Sequence, residues 1–168
     1  MSSKPIIICD ANILIDYIDS DGTILCRAAA HCYDIFTTES IVREVMVKRP
    51  ALNIAAYGVK ICDAEFAQMA EAQEFSASSP LSFEDSLCFI LARDNSWICA
   101  TNEKALRNKC QKEKISTIRG LRFMLDLVSL GKLSKGDAIR IAKEIETANS
   151  RIPQNVIAEF IRLLKDTI

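Results

Sequence analysis

The chain has 168 residues, and its hydrophobic content of 49% and charged content of 26% are typical of one folded domain and exclude a disordered chain. No apolar run approaches the roughly 18 residues of a membrane-spanning helix, and Asp10 ends the first run too early for a secretory signal. We therefore expect a cytoplasmic protein without membrane contact. The net charge is −1, so overall charge alone gives no argument for nucleic-acid binding.

Short apolar runs alternate with helical patterns in the first half of the chain. The predicted strands are Ile6–Cys9, Asp34–Thr37 and Val59–Cys62. The predicted helices span residues 13–18 with Asn12 as cap, 22–32, a segment from the cap Thr38 to about 48, and 63–75. The continuous apolar run Ile6–Cys9 is typical of a strand that is buried on both faces.

The same alternation continues in the second half. The predicted elements are a loop over Ser76–Pro80, a helix from Ser82 to about Asn95, a strand over Trp97–Ala100, a helix over Glu103–Lys112 that Thr101 caps, and a strand over Ile115–Ile118. Beyond Gly120 the pattern is helical to the end of the chain, with interruptions at Gly131, Gly136 and Pro153.

Strands that alternate with helices predict an α/β fold with a parallel sheet, here of four to five strands, flanked by helices on both faces. We assign residues 1–131 to this domain and 132–168 to a helical C-terminal extension packed on or next to it. The chain contains no internal repeat and no linker long enough to divide it further.

Acidic or amide side chains follow the predicted strands at several points. They are Asp10, Glu44, Asp85, Asn102 and Glu103. Ligands of open parallel sheets bind beyond the carboxyl ends of the strands, so these side chains are candidates for one site.

Most of these acids also have a structural explanation. Ser82 and Asp85 form a capping-box pattern, and Glu103 at the start of a helix is favoured by the helix dipole. Glu44 is compatible with a solvent-facing helical position. Asp10 is different, because it ends a buried apolar strand, where an unpaired charge is costly.

Taken together, the acids predict a cation site. Several carboxylates at one edge of a sheet repel one another unless a cation lies among them. Ligand sets made only of oxygen suit Mg²⁺ or Mn²⁺, which keep several water molecules and share them with substrate phosphate. Such an ion lowers the pKa of its bound water and offsets the charge that grows on a phosphodiester under attack.

The sequence resembles the PIN domain nucleases over about residues 6–107. The resemblance lies in Ile6–Asn12, an apolar strand followed by D-x-N, in Thr37–Glu44, in Leu81–Ala92, and in Trp97–Arg107, which is similar to T-x-D-x-x-L-R. The order and spacing of the four segments are more specific than any one of them.

The resemblance implies a role for each matching position. Asp10, Glu44, Asp85 and Glu103 would be the catalytic metal ligands, with Asn12 orienting the first carboxylate and Thr101 holding the pocket through its hydroxyl. In our hypothesis of a metal-dependent nuclease, Lys104 and Arg107 would help to bind substrate phosphates. Glu103 departs from the family, which usually has aspartate at this position, and Asn102 could supply a neutral oxygen instead.

The family resemblance also implies an activity and partners. It indicates a metal-dependent endoribonuclease that hydrolyses RNA, often the toxin of a toxin–antitoxin pair, with an antitoxin protein as partner and a homodimer as the assembly. The helical extension makes the chain longer than minimal PIN toxins.

Two other classes of function stay open at this point. One is a non-catalytic module that binds RNA or a protein through residues 104–122 or the C-terminal helices. The other is a small phosphatase or phosphoacceptor domain, whose acid also follows the first strand. Against it, Asn12 stands where such phosphatases have a second aspartate, and Trp97–Ala100 lacks a lysine.

Charge and cysteine content add two expectations. Residues 1–102 hold 7 basic and 14 acidic residues, whereas residues 103–168 hold 14 basic and 8 acidic, a distribution that suits a metal pocket beside a phosphate-binding surface. The seven cysteines are odd in number, without a C-x-x-C pair, and several lie in apolar runs, so we expect reduced thiols. The lone His31 is too isolated to define a zinc site.

Overall fold

The computed structural model describes residues 3–167, and the predicted domain limits at positions 1 and 168 lie outside them. The strands are β1 (Ile6–Cys9), β2 (Asp34–Thr38), β3 (Lys60–Cys62), β4 (Ile98–Ala100) and β5 (Thr117–Ile118). They form one five-stranded sheet in the order β3-β2-β1-β4-β5, and all pairings are parallel. The predicted α/β class with a parallel sheet is therefore confirmed.

Helices connect and flank these strands. They are α1 (Ala11–Ser20), α2 (Thr23–His31), α3 (Glu39–Met46), α4 (Phe66–Ser78), α5 (Phe83–Asn95), α6 (Lys104–Lys112), α7 (Arg122–Ser129), α8 (Lys135–Ala148) and α9 (Gln154–Asp166), with a 3₁₀ turn at Ile54–Tyr57. Helix α5 packs on β1 and β4, and α1, α7, α8 and α9 contact one another in a second group.

Strand β1 lies at the centre of the sheet because its side chains are apolar on both faces. Ile7, Ile8 and Cys9 are fully buried, as the continuous apolar run predicts. The chain moves outward from β1 through β2 to β3 and then returns to place β4 on the other side of β1. The carboxyl ends of β1 and β4 therefore lie at the point where the strand order reverses, which is where open α/β sheets form their ligand crevice.

The C-terminal helices share the hydrophobic core of the rest of the chain. Helix α8 packs on α1 and α7, and α9 packs on α7 and α8. Ile141, Ile145 and Phe160 are buried in the same apolar cluster as the strands. The domain boundary at residue 131 stays a prediction. The extension packs on α1 and α7, the helices that follow β1 and β5.

Three local predictions are wrong. Asp10, not Asn12, caps α1, because the Asp10 carboxylate accepts the Ile13 amide at 3.1 Å and the helix begins at Ala11. Thr101 does not cap α6, whose N-cap position is Glu103. The predicted loop over Ser76–Pro80 is mostly helix, since α4 runs through Ser78. Its serine hydroxyls donate to carbonyl oxygens one turn earlier, which satisfies them inside the helix.

The cysteines, which all lie within the described residues, form no disulfides, and the single histidine lies at the surface. All seven cysteines are free, and Cys9, Cys88 and Cys99 are buried within apolar surroundings. His31 is exposed at the end of α2. Within residues 3–167, none of the helices has the length and apolar character needed to cross a membrane.

Candidate active site

A pocket of about 230 Å³ lies at the carboxyl edge of β1 and β4. We call it the acidic pocket, because its lining includes the five carboxylates of Asp10, Glu44, Glu84, Asp85 and Glu103. These acids come from the end of β1, from α3, from the first turn of α5 and from the residue before α6. The fold thus brings together all four acids predicted from the sequence, although they are spread over more than half of the chain.

Asp10 is the most buried acid of the pocket. It is 4% exposed, accepts hydrogen bonds from the Ile13 amide and the Thr101 hydroxyl, and directly follows β1. Burial is the main reason that the pKa of Asp10 is raised from 3.8 to about 7. The charges of Asp85 and Glu103 also act to raise this pKa, whereas the hydrogen bonds from Thr101 and Ile13 act to lower it. A bound cation would offset this repulsion and favour the ionised carboxylate.

Thr101 connects two of the acids. Its side chain is fully buried, and its hydroxyl donates to the Asp10 carboxylate while accepting the Glu103 amide at 3.0 Å. The parallel pairing of Cys9 with Ala100 places Thr101 beside Asp10. Its hydroxyl therefore fixes Asp10 relative to the start of α6.

The family resemblance implies that Asn12 orients Asp10. In the structure, the Asn12 side chain orients Glu103 instead. Its Nδ2 donates to Oε1 of Glu103 at 2.9 Å. The guanidinium of Arg151 lies 3.9 Å from the same Glu103 oxygen. The reason is positional, since Asn12 lies within the first turn of α1, and Asp10 itself is occupied with capping that helix.

Asp85 and Glu44 face the same pocket from helices. Asp85 forms the predicted capping box with Ser82, with distances of 3.0 Å and 3.3 Å, so it also has a structural role. Burial raises the pKa of Asp85 and that of Glu44, and neighbouring carboxylates add to both shifts. The capping and pocket-lining interpretations of Asp85 therefore hold together.

The donor set of the pocket fits a hard divalent cation in its chemistry. Among the described residues that line the pocket, five carboxylates face one cationic side chain, that of Arg151, and the candidate ligand atoms are oxygens. In residues 3–167, however, no three acidic, histidine or cysteine side chains are placed to hold an ion by themselves. Mg²⁺ is often bound through one or two carboxylates with water completing its shell, so direct contact by all four predicted ligands is not required.

A second cavity, of about 400 Å³, adjoins the acidic pocket. The two share Asn12, Glu103 and Arg151 in their lining. The basic side chains of this cavity are Lys104, Arg107, Arg119 and Arg151, and we call it the basic cleft. Both residues predicted to bind phosphate, Lys104 and Arg107, therefore lie beside the acids and not among them.

Asn102 has a structural role in the basic cleft. Its Oδ1 accepts the Gly120 amide at 3.1 Å, and its backbone carbonyl accepts from the Arg107 guanidinium. Tyr17 holds the same loop, because its hydroxyl donates to the Gly120 carbonyl at 2.6 Å. The side-chain oxygen of Asn102 is thus already engaged. A neutral oxygen ligand for the metal would have to line the acidic pocket, and Asn102 does not.

Among the described residues, two charged side chains of the acidic pocket, Glu84 and Arg151, are not predicted from the sequence. Glu84 adds a fifth carboxylate and neighbours Asp85 in the segment Leu81–Ala92, so its position in the first helical turn was an available signal. Arg151 lies between the last two helices, more than forty residues beyond the segments that resemble the PIN family. Its place in the site follows only from the packing of α8 on α1.

Comparison with known proteins gives no family assignment. No protein-family model matches the chain, and no curated protein matches its sequence significantly. The interpretation of the acidic pocket therefore depends on its own geometry and on the four sequence segments described above.

Proposed function

We propose that the protein is a metal-dependent endoribonuclease that hydrolyses RNA phosphodiester bonds with Mg²⁺ or Mn²⁺. The metal ligands would be Asp10, Glu44, Asp85 and Glu103. One observation carries the proposal: five carboxylates from four separate parts of the chain line one pocket at the strand-order reversal, directly beside a cleft lined by four basic side chains. A cation in the first and a phosphate backbone in the second would satisfy both groups of charges.

The proposed reaction divides the work between the two cavities. A divalent ion would supply a bound water of lowered pKa and offset charge on the phosphodiester. Asp10 and Glu103 would contribute negative charge toward it, held in place by Thr101 and Asn12 respectively. Lys104 and Arg107 would bind the phosphates of the strand in the basic cleft and exclude other orientations.

The cellular setting belongs to the same proposal. Free thiols, among them the exposed Cys26, favour a reducing compartment and thus a cytoplasmic location. An antitoxin partner, a homodimer and action as a toxin follow from the family resemblance, and each stays a prediction.

RNA cleavage tests the proposal directly. We expect the protein to shorten a labelled single-stranded RNA with Mn²⁺ or Mg²⁺ and to stop in EDTA. Glu44→Gln should lower the rate strongly, whereas Glu39→Gln, on the same helix but ion-paired with Arg43 outside the pocket, should leave it unchanged. Equal rates for the two variants, or cleavage that persists in EDTA, would count against the proposal.

Two observations favour the non-catalytic alternative, in which the fold binds RNA without cutting it. Glu103 is engaged by Asn12 and lies near Arg151, and no three candidate ligands in residues 3–167 are placed to hold an ion by themselves. This alternative predicts unchanged RNA affinity on addition of EDTA and no cleavage with any divalent metal.

A further inference from the structure

Arg151 occupies the boundary between the acidic pocket and the basic cleft. It lines both cavities, and within residues 3–167 it is the one basic side chain in the lining of the acidic pocket. Its closest carboxylate oxygen, on Glu103, is 3.9 Å away, and its side chain is 76% exposed. The guanidinium therefore lies near the acids, and its positive charge is not engaged in a short, buried ion pair.

The backbone of Arg151 is fixed in place by Asn149. The Asn149 Nδ2 donates to Asp16 on α1 at 2.9 Å, and its Oδ1 accepts the Arg151 amide at 3.1 Å. The Asn149 carbonyl accepts the Ile152 amide at 3.2 Å, and the Ile152 side chain is buried. The turn between α8 and α9 is thus tied to the helix that begins directly after Asp10.

A negatively charged strand needs a cation at this boundary. Five carboxylates lie on one side of it, and they repel a phosphate that approaches the acidic pocket from the basic cleft. Arginine suits this position because its planar guanidinium binds a phosphate through two parallel hydrogen bonds and remains charged at every working pH.

We propose that the turn between α8 and α9 is part of the substrate site, with Arg151 binding a phosphate of the RNA strand where it passes from the basic cleft into the acidic pocket. Asn149 is then a positioning residue, which acts through the backbone of Arg151. This inference rests on the proposed function for its ligand, RNA. It assigns the C-terminal helices a direct part in binding the substrate.

The inference predicts that a change at Arg151 affects the binding of RNA and the binding of Mn²⁺ differently. Loss of the Arg151 charge should weaken RNA binding, because a phosphate contact disappears. The same change should leave Mn²⁺ affinity unchanged or increase it, because a positive charge is removed from beside the carboxylates. If Arg151 had a purely structural role, its loss would instead weaken the binding of both RNA and Mn²⁺.

The experiment measures binding of a fluorescein-labelled single-stranded RNA by anisotropy over a series of salt concentrations, in EDTA to remove the divalent metal that the proposed cleavage needs. Arg151→Ala should lower the affinity by about tenfold and make the dependence of log K on log salt shallower by about 0.7. Arg151→Lys should retain part of the affinity. Arg162→Ala, a change on α9 outside both cavities, is the matched control and should bind as wild type does.

The role of Asn149 is tested by a double-mutant cycle. Asn149→Ala should weaken RNA binding, and adding it to Arg151→Ala should cause little further loss, because both changes remove one contact. Additive losses would overturn the positioning role.

The inference and the proposed nuclease activity fail separately. Wild-type RNA affinity and salt dependence in Arg151→Ala would overturn the inference even if the protein cleaves RNA. An Arg151 effect on RNA binding in a protein that never cleaves would support the inference and refute the nuclease.

Discussion

Asn12 donates a hydrogen bond to Glu103 at 2.9 Å, and this contact joins the first turn of α1 to the residue that precedes α6, although the two positions are 91 residues apart. Glu103 is the acid that departs from the PIN pattern, in which aspartate is usual. The hydrogen bond holds this longer side chain in the lining of the acidic pocket.

The charge of Glu103 can be separated from its contact with Asn12. Glu103→Gln keeps an oxygen that can accept from Asn12 but removes a negative charge from the pocket. We expect Mn²⁺ to bind about tenfold more weakly or worse, a loss of about 1.4 kcal/mol, as measured by calorimetry. Glu103→Asp, which keeps the charge, should bind the metal better than Glu103→Gln. Wild-type Mn²⁺ affinity in Glu103→Gln would show that Glu103 is not part of the metal site.

Thr101 should stabilise the metal-free protein through its hydroxyl. Thr101→Val leaves the buried Asp10 with one donor fewer and the Glu103 amide without its acceptor. We expect the free energy of unfolding to fall by about 1–3 kcal/mol, and the pKa of Asp10 to rise further, since the Thr101 hydroxyl lowers it. Denaturant unfolding measures the first effect. Thr101→Ser keeps the hydroxyl and should recover most of the loss.

The ionisation of Asp10 should make the metal-free protein less stable as the pH rises. Burial raises its pKa from 3.8 to about 7 in the folded state, so folding favours the protonated form. Its contribution is fully present below about pH 4 and is lost as the pH rises through about 7. Asp10→Asn cannot ionise, and in EDTA it should be more stable than wild type by up to roughly 4 kcal/mol above pH 7.

The measurement for Asp10 is urea unfolding of both proteins in EDTA between pH 4 and pH 8. The stability difference should shrink toward pH 4, where Asp10 is protonated in the folded protein. Addition of Mn²⁺ should stabilise wild type and not Asp10→Asn, because the variant lacks one of the four carboxylates proposed to bind the ion. A difference that does not change with pH would show that Asp10 ionises normally in the folded chain.

The basic cleft should set the salt dependence of RNA binding. Lys104→Ala combined with Arg119→Ala removes two of its cations, and the slope of log K against log salt should become shallower by about 1.4. The paired control, Lys135→Ala with Lys143→Ala, removes two exposed lysines of α8 that lie outside both cavities. Equal slopes for the two double variants would place the RNA elsewhere on the surface.

The sequence alone predicted the sheet and the acids that follow its strands. Ile6–Cys9 is continuously apolar and becomes the central strand, and Asp10 and Glu103 lie at the strand ends where parallel topology brings side chains together. These features depend on short-range pattern and on one general rule of parallel sheets, so they can be read without coordinates.

The remaining features depend on side-chain choice and long-range packing. The sequence predicts Asn12 as a helix cap because asparagine is common there, but the carboxylate of Asp10, two residues earlier, offers an equally suitable acceptor and takes that position. Arg151 could not be placed, because the approach of the α8–α9 turn to the acidic pocket depends on how α8 packs on α1. No local pattern in residues 132–168 specifies that contact.

The central claim, a divalent metal held by the acidic pocket, is tested most directly by calorimetric titration of Mn²⁺ into wild type and Asp10→Asn. The proposal predicts binding by wild type that is lost in Asp10→Asn, while Asp21→Asn, a change outside the pocket, binds as wild type does. Absence of Mn²⁺ binding by wild type, even with a phosphodiester present to complete the coordination shell, or equal binding by Asp10→Asn, would contradict it.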